Sequence, residues 1–263
     1  MAIERVARRV RELVAGYSPP GYSHVPDPDS ALFLCAMDHR TGYREPHVVA
    51  GEGPYSGSAL LWAVALEAAR RDPELLTARS LRDVDADGVG ELFRIDGETV
   101  ADPARRANLL RNLARGLARD HAGEARVLLA KARDRLGGEQ GLLALLARYD
   151  AYSDPLQKKS FLFAKICARR CWLSVRDPEH WQVSADNVLM RLALRSGLVR
   201  AGPLDEVRAA TRAALKEVAD RSGVPPPALD DLLWERGRDD PDLLGTEGGD
   251  LKEPPRDLGS TWY

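Results

Sequence analysis

A chain of 263 residues can bury a sizeable core, as one large domain or as two small lobes. Its three cysteines include no CxxC pair, which argues against a disulfide framework and a closed zinc site. The formal net charge of −2 at pH 7 argues against a protein that coats nucleic acid with its whole surface, although a local basic face is compatible with it.

The composition also bears on where the protein works. No stretch of the sequence approaches the roughly 18 apolar residues that a membrane-spanning helix requires. The first residues are charged and periodic, unlike the apolar core of a signal peptide. We therefore expect a soluble, cytoplasmic, monomeric protein with no targeting segment, no cofactor and no metal ion.

Hydrophobic spacing predicts helices along the first third of the chain. Residues 1–17 carry apolar side chains at helical intervals and end in a glycine and a proline pair. The apolar run ALFLCAM, residues 31–37, fits a buried helix or a strand, and we interpret it as a helix. A turn over residues 51–54 precedes an apolar helix that Ser56 or Ser58 can cap.

An acidic stretch, LRDVDADGVGELFRI, has the appearance of a calcium-binding loop. Asp83, Asp85 and Asp87 have the spacing of the early ligands in such a loop. The twelfth loop position needs a bidentate glutamate, but Arg94 occupies it. We therefore predict a capped helix start here and no calcium site.

The rest of the chain is also predicted to be helical. Residues 102–146 carry alanine, leucine and arginine at helical spacing, interrupted by glycines. A further helix opens with Ser153 or Asp154 as its cap and Pro155 in its first turn. Three more helices are predicted to begin near Asp186, Asp205 and Pro227.

These elements predict an all-α fold. We expect residues 1–236 to form one helical domain of two lobes, with a base-binding cleft between the lobes. From residue 237 the chain becomes rich in glycine, proline and aspartate, which cannot bury enough apolar surface to become ordered. We therefore predict a disordered tail over residues 237–263.

The most specific string in the sequence is ADNVLMRLALRSGLV, residues 185–199. Asp186 opens a helix there, and Arg191 and Arg195 follow it at offsets of five and nine. The string resembles a segment of the endonuclease III superfamily, in which a catalytic aspartate precedes a helix ending in an R-x-x-x-R-x-G-L-like stretch. An aspartate near a helix N-terminus stays ionised and can stabilise cationic character at a sugar C1′ or deprotonate a nucleophile. The alternative is that Asp186 is only a helix cap.

A second string, QKKSFLFAKI, covers residues 157–166. It resembles the lysine-bearing helix of the archaeal 8-oxoguanine DNA glycosylases, with Gln157 and Lys158 on that family's Gln-Lys pair. The resemblance implies a helix-hairpin-helix glycosylase fold in which Lys158 attacks C1′ as the nucleophile and Asp186 supports the developing charge. An amine beside a carboxylate can form a Schiff base with an opened sugar. The alternative is that the lysines belong to a solvated helix face.

A third string, SGVPPPALDDLLWERGR, covers residues 222–238. It resembles the C-terminal helix of the same archaeal family, whose Leu-Asp-x-Leu-Leu-Trp pattern it repeats. The resemblance implies that Asp230 hydrogen-bonds an extruded base and that Trp234 stacks on that base. The alternatives are that Asp230 caps a helix and that Trp234 is an ordinary core aromatic.

The same segments also resemble the queuosine-salvage N-glycosidases, which share this helical fold and hydrolyse a nucleotide. That resemblance includes residues 55–69 and the run from Leu75 to Phe93. Residues 32–44 depart from it, since they lack that family's aromatic and asparagine-rich pocket strand. In this stretch His39 and Arg40 instead resemble the Gln-Gln-Thr-type stretch by which the DNA enzymes wedge the duplex.

Two features of the superfamily are missing from the sequence. The region that corresponds to its hairpin, RYDAYSDPLQ, contains no Gly-x-Gly turn whose backbone amides could hold a DNA phosphate. The four cysteines that hold an iron–sulfur cluster are also missing.

Three functional hypotheses follow from these patterns. The first is a DNA N-glycosylase that excises a damaged or modified purine-like base of the 8-oxoguanine type, with AP-lyase activity through a Schiff base on Lys158. The second is an N-glycosidase that hydrolyses a modified nucleotide or nucleoside, with Asp186 activating water and Lys158 contacting phosphate. The third is a non-catalytic helical adaptor.

Overall fold

The computed structural model describes residues 2–246, 253–255, 257 and 259–262. Within these residues the chain forms twelve α-helices, two short 3-10 segments and one antiparallel pair of strands. The elements, in chain order, are α1 (Ala2–Val14), α2 (Pro28–Met37), β1 (His47–Val49), β2 (Glu52–Tyr55), α3 (Gly57–Arg71), α4 (Ala78–Leu81), α5 (Ala86–Leu92), α6 (Pro103–His121), α7 (Ala125–Ala132), α8 (Leu142–Leu146), the 3-10 segment Asp150–Tyr152, α9 (Lys158–Arg169), the 3-10 segment Pro178–His180, α10 (Asn187–Arg195), α11 (Leu204–Ser222) and α12 (Pro226–Gly237). The predicted all-α class is therefore confirmed.

The chain divides into two compact units. The terminal unit consists of Met1–Gly21 and Pro178–Ser260 and contains α1, α10, α11 and α12. The central unit consists of Tyr22–Asp177 together with Thr261–Tyr263 and contains both strands and the other eight helices of the described residues.

Helix α2 is the core element of the central unit. Asp27 caps it by accepting a hydrogen bond from the Ser30 backbone N–H at 2.8 Å, and Pro28 occupies its first turn. Helices α3, α6, α7 and α9 all pack against it, so its residues are buried on every side. A helix surrounded in this way has no polar face, which explains why its sequence shows no helical period. The interpretation of residues 31–37 as a helix is confirmed.

Two predicted features lie between α2 and α6. Of the turn predicted over residues 51–54, Gly51 lies in a hairpin turn and the other three residues belong to strand β2. Ala50 and Gly51 form the turn and take positive φ angles. Such angles are typical of tight hairpin turns. The acidic stretch begins α5, where the Asp85 carboxylate accepts a hydrogen bond from the Gly88 N–H at 2.8 Å. The predicted capped helix start is confirmed.

The start of α9 differs from the prediction. The sequence places Pro155 in the first helical turn, whereas the helix begins at Lys158. Gln157 precedes it in the left-handed region, with φ 54°. The Asp154 carboxylate reaches across this turn and accepts hydrogen bonds from the Leu156 and Lys158 N–H groups at 3.0 and 3.1 Å. The predicted start of this helix was wrong by one turn. The Asp154 carboxylate binds the N–H of Leu156, which lies in a loop, as well as the N–H of Lys158 at the helix start, so the helix begins after that loop.

The terminal unit is a four-helix assembly. Helix α1 packs on α11 and α12, and α10 packs on the same two helices. Buried apolar side chains of all four helices form its core. Helices α10, α11 and α12 begin within one residue of the predicted starts.

The segment after α12 differs in part from the predicted disordered tail. Leu243 and Leu244 are buried in the core of the terminal unit. Asp242 accepts two hydrogen bonds from the Arg195 guanidinium, at 2.6 and 2.8 Å. Up to residue 246 the segment is therefore packed. The rest of the prediction falls on residues 247–263, of which only 253–255, 257 and 259–262 are among the described residues.

None of the helices formed by the described residues is both long enough and apolar enough to cross a membrane.

Candidate functional site

The candidate site is built where the start of α9 meets the end of α2 in the central unit. Lys158 and Lys159 are the first two residues of α9, and both are buried, with 7% and 0% of their surface exposed. Lysines are rarely buried without a partner, because transfer of an ammonium out of water is costly. Both side chains point at residues 36–39, which end α2 and follow it.

Lys158 forms a buried ion pair with Asp38. Its Nζ lies 2.7 Å from Asp38 Oδ2 and 2.9 Å from the Asp38 carbonyl oxygen. The Ser58 hydroxyl donates to the other carboxylate oxygen. Burial by itself raises the pKa of the Asp38 carboxyl, but the Lys158 ammonium and the two hydrogen bonds lower it below its ordinary value. The pair therefore holds a carboxylate and an ammonium in direct contact.

Lys159 is bound differently. Its Nζ donates to the Ala36 carbonyl oxygen at 2.6 Å and lies 3.1 Å from His39 Nδ1, and it forms no ion pair with any described residue. Burial, and then the charge of Lys158, lower the pKa of the Lys159 amine well below its ordinary value. Burial and the neighbouring cations also lower the pKa of His39 far below its ordinary value. Lys159 and His39 are therefore favoured in their uncharged forms.

A third buried basic side chain, Arg106 on α6, completes the environment of this segment. Its guanidinium donates to the carbonyl oxygens of Met37, His39 and Arg40, at 2.6, 3.2 and 2.6 Å. It also donates to Ala101 at 2.7 Å, and burial lowers its pKa to about 10.

Together the three basic side chains bind five consecutive carbonyl oxygens, those of residues 36–40. A helix C-terminus leaves its last carbonyls without partners inside the helix, and cationic side chains are well suited to them. The segment that carries Asp38 is therefore fixed by side chains from α6 and α9.

Three of the residues proposed from sequence lie in the terminal unit. Asp186 is the N-cap of α10 and accepts from the Leu189 N–H at 3.0 Å. Asp230 is buried within α12 and accepts from the Ser184 N–H at 2.7 Å, so it holds the segment that leads to Asp186. Trp234 is half-buried against the core of this unit, and the Arg238 guanidinium lies 5.2 Å from its ring centroid.

The other proposed residues lie in the central unit. His39 is buried beside Lys159, whereas Arg40 is more exposed and pairs with Asp102. Gln157 supplies the backbone turn before Lys158. The structure thus brings Lys158 and His39 to one segment. The predicted approach of Lys158 to Asp186 joins the two units and stays a prediction.

Sequence reasoning missed Asp38, Lys159 and Arg106. Asp38 had one available signal, since it directly follows an apolar helix, a place where a carboxylate has no local partner. Arg106 had none, because it is one of many arginines at helical spacing on α6. Their roles depend on contacts between residues more than 60 positions apart.

The described residues contain no cluster of three or more histidine, cysteine or carboxylate side chains that could hold a metal ion. The side chains that meet at the candidate site are two amines, one guanidinium, one imidazole and one carboxylate. In comparisons with known proteins, no protein-family model matches the chain, and no curated protein matches it significantly.

Proposed function

We propose that the protein is an N-glycosidase that removes a damaged or modified purine-like base from DNA, with Lys158 as the amine nucleophile. The observation that carries the proposal is the buried contact of 2.7 Å between Lys158 Nζ and the Asp38 carboxylate. An imine-forming lysine needs a neighbouring base that can take the proton of its ammonium, and the Asp38 carboxylate is in position to do so. Two strings that resemble the archaeal 8-oxoguanine DNA glycosylases, and one between them that resembles the endonuclease III superfamily, support the same assignment.

The proposed reaction has two steps. The Asp38 carboxylate takes a proton from the Lys158 ammonium, and the Lys158 lone pair attacks C1′ of the sugar. The bond from C1′ to the base breaks, and the base leaves with the electron pair and takes a proton from the newly bonded amine. The C1′–O4′ bond then breaks, O4′ takes the proton held by Asp38, and a protonated imine remains between Lys158 and C1′. In this scheme Asp38 holds the Lys158 side chain in position, and Asp186 is the proposed carboxylate that supports positive charge at the sugar.

The same contact gives the second hypothesis its support. Asp38 stabilises Lys158 as an ammonium, and an ammonium is suited to bind a substrate phosphate. In that case Asp186 activates water, the substrate is a modified nucleotide or nucleoside, and no covalent intermediate forms.

Borohydride trapping separates the two reactions. The protein is incubated with duplexes that each contain one modified purine, and with the corresponding nucleosides and nucleotides, and released base is measured by mass spectrometry. With borohydride present, the proposed mechanism predicts a covalent protein–DNA adduct, because hydride reduces the imine to a stable amine. Lys158→Gln should abolish the adduct and base release.

Lys216→Gln is the matched control, since Lys216 lies on the terminal unit and pairs with Asp220. It should form the adduct as the wild type does. If Lys158→Gln does not fold, peptide mapping of the wild-type adduct still decides whether the sugar remnant is on Lys158. Base release that survives Lys158→Gln without any adduct would favour the hydrolase, and no base release from any substrate would favour the adaptor.

A further inference from the structure

A second basic region lies at the opposite end of α9 from the buried lysines. It is formed by residues 131–137, around the end of α7, and residues 169–177, around the end of α9, and we call it the basic surface. In a chain with a net charge of −2, these two segments contain six cationic side chains and two carboxylates. The cations are Lys131, Arg133, Arg135, Arg169, Arg170 and Arg176.

The two carboxylates join the segments into one surface. Asp134 accepts from the Ser174 N–H at 3.1 Å through its side chain and from the Arg176 N–H at 2.9 Å through its carbonyl oxygen. Asp177 accepts from the N–H groups of Leu136 and Gly137 at 2.8 and 2.9 Å. The negative charges are thus used to bind backbone, and the arginines are presented from a fixed framework.

Three arginines of this surface, Arg133, Arg135 and Arg176, make few contacts within the described residues. The side chains of Arg133 and Arg135 are exposed and make no hydrogen bond or ion pair with any described residue. Arg176 is 72% exposed and lies 3.7 Å from Asp134, beyond hydrogen-bond distance. Elsewhere on the central unit, exposed arginines such as Arg94 and Arg115 bind carboxylates of their own chain at 2.9 Å.

Arg170 is oriented by an aromatic ring. Its guanidinium lies 5.1 Å from the centroid of Trp172, a cation–π contact that fixes its position. The Nε atom of this side chain is buried and has no hydrogen-bond partner among the described residues. Planar guanidinium groups form bidentate hydrogen bonds with phosphate and carboxylate oxygens, and a cluster of them is typical of a surface that binds a phosphate backbone.

The length of α9 sets the distance between the two regions. The helix runs from Lys158 to Arg169, which separates its ends by about 17 Å at 1.5 Å per residue. Successive phosphates of one DNA strand advance by about 3.4 Å along the duplex axis, so about 17 Å measured along that axis corresponds to about five nucleotides. A free nucleotide is too small to reach both places, and a DNA strand is long enough.

We propose that the basic surface binds the phosphate backbone of DNA about five nucleotides away from the nucleotide held at Lys158. The inference rests on the proposed function for the identity of the substrate. It adds a surface that binds the phosphates of a DNA strand. The sequence lacks the Gly-x-Gly turn that could otherwise hold a DNA phosphate.

The test compares two triple variants of the full chain. Arg133→Ala/Arg135→Ala/Arg176→Ala removes three cations of the basic surface. Arg70→Ala/Arg71→Ala/Arg94→Ala removes three exposed arginines of the same unit that pair with Glu67 and Glu91. The two variants have the same net charge, so a general loss of positive charge affects both equally. Circular dichroism checks that both fold.

The probe is unmodified, fluorescein-labelled duplex DNA of about 20 base pairs, with binding followed by fluorescence polarisation at several salt concentrations. The basic-surface variant should bind at least about tenfold more weakly at low salt, and the slope of log affinity against log salt should fall by about 2–3. The control variant should stay close to the wild type. Equal losses in both variants, or a wild type that does not bind the duplex, would overturn the proposal.

A length series separates this inference from the proposed function. With a substrate trinucleotide, the basic-surface variant should release base as the wild type does, and it should be impaired only on long DNA. Unchanged base release on every length would refute the surface and leave the N-glycosidase standing. Weakened duplex binding without any base release would refute the N-glycosidase and leave the surface standing.

Discussion

The central and terminal units use charged side chains in different ways. In the central unit, the buried basic side chains Lys158, Lys159 and Arg106 together bind five consecutive carbonyl oxygens. In the terminal unit, Asp186 and Asp230 each accept a hydrogen bond from a backbone N–H. The three basic side chains of the central unit therefore depend on one another, because each fixes part of the segment that the others bind.

This difference teaches where substitutions should be costly. When one of these basic side chains is removed, buried carbonyl oxygens lose a hydrogen-bond donor, and each such oxygen carries a desolvation penalty. A carboxylate that holds one amide can be replaced by another oxygen acceptor of the same shape at little cost. The two units should thus respond to substitution on very different scales.

The largest expected effect is that of Arg106→Met. The methionine keeps much of the buried volume but leaves the carbonyl oxygens of Met37, His39, Arg40 and Ala101 without their guanidinium donor. The Met37 oxygen keeps the His39 N–H at 2.8 Å, whereas the oxygens of His39, Arg40 and Ala101 lose a donor. At about 1–3 kcal/mol for each lost donor, the free energy of unfolding should fall by about 3 kcal/mol or more. Urea denaturation measures this change.

Arg94→Met is the control for this prediction, because Arg94 is exposed and pairs only with Glu91 among the described residues. It should leave the free energy of unfolding nearly unchanged. An Arg106→Met protein as stable as Arg94→Met would show that the carbonyl oxygens of residues 37, 39 and 40 are satisfied without the guanidinium.

The second prediction concerns the pH dependence of stability that Lys159 introduces. Its pKa is lower in the folded than in the unfolded state, so unfolding takes up a proton between those two pKa values. The contribution of Lys159 to the free energy of unfolding therefore falls as the pH decreases from the pKa of the unfolded state, about 10.4, toward the lower pKa of the folded state. In Lys159→Met this contribution is absent.

The free energy of unfolding of Lys159→Met minus that of the wild type should accordingly increase as the pH falls, by about 1.4 kcal/mol for each pH unit between the two pKa values. Urea denaturation of both proteins at pH 7 and pH 10 gives the comparison. Lys131→Met, which removes an exposed lysine of the same unit, should show no such trend. A difference between Lys159→Met and wild type that is the same at both pH values would mean that Lys159 is charged in the folded protein.

The smallest expected effect on stability is that of Asp186→Asn. Asparagine caps a helix about as well as aspartate, so the free energy of unfolding should change by less than about 1 kcal/mol. Base release should fall by about 10²-fold or more, because the amide lacks the negative charge that the proposed reaction requires. A folded variant that releases base at the wild-type rate would show that Asp186 is a helix cap and no more.

The sequence by itself determined the all-α class and most helix starts in this protein. Asp85 and Asp186 are caps that act on an N–H three residues away, and such contacts are visible in the order of residues. The sequence also proposed Lys158 as a candidate, through the resemblance of residues 157–166 to a known lysine-bearing helix, and the structure shows that this side chain is buried.

The tertiary structure decided which groups meet Lys158 in the central unit. Asp38 is 120 residues away from Lys158, and Arg106 is 69 residues away from Met37, so no local spacing indicates either contact. The packing of α6 and α9 against α2 creates these contacts, since it buries the end of α2 and leaves its carbonyl oxygens to be satisfied by side chains. Local hydrogen bonds follow from the sequence, whereas the partners of a buried charge follow from which helices pack together.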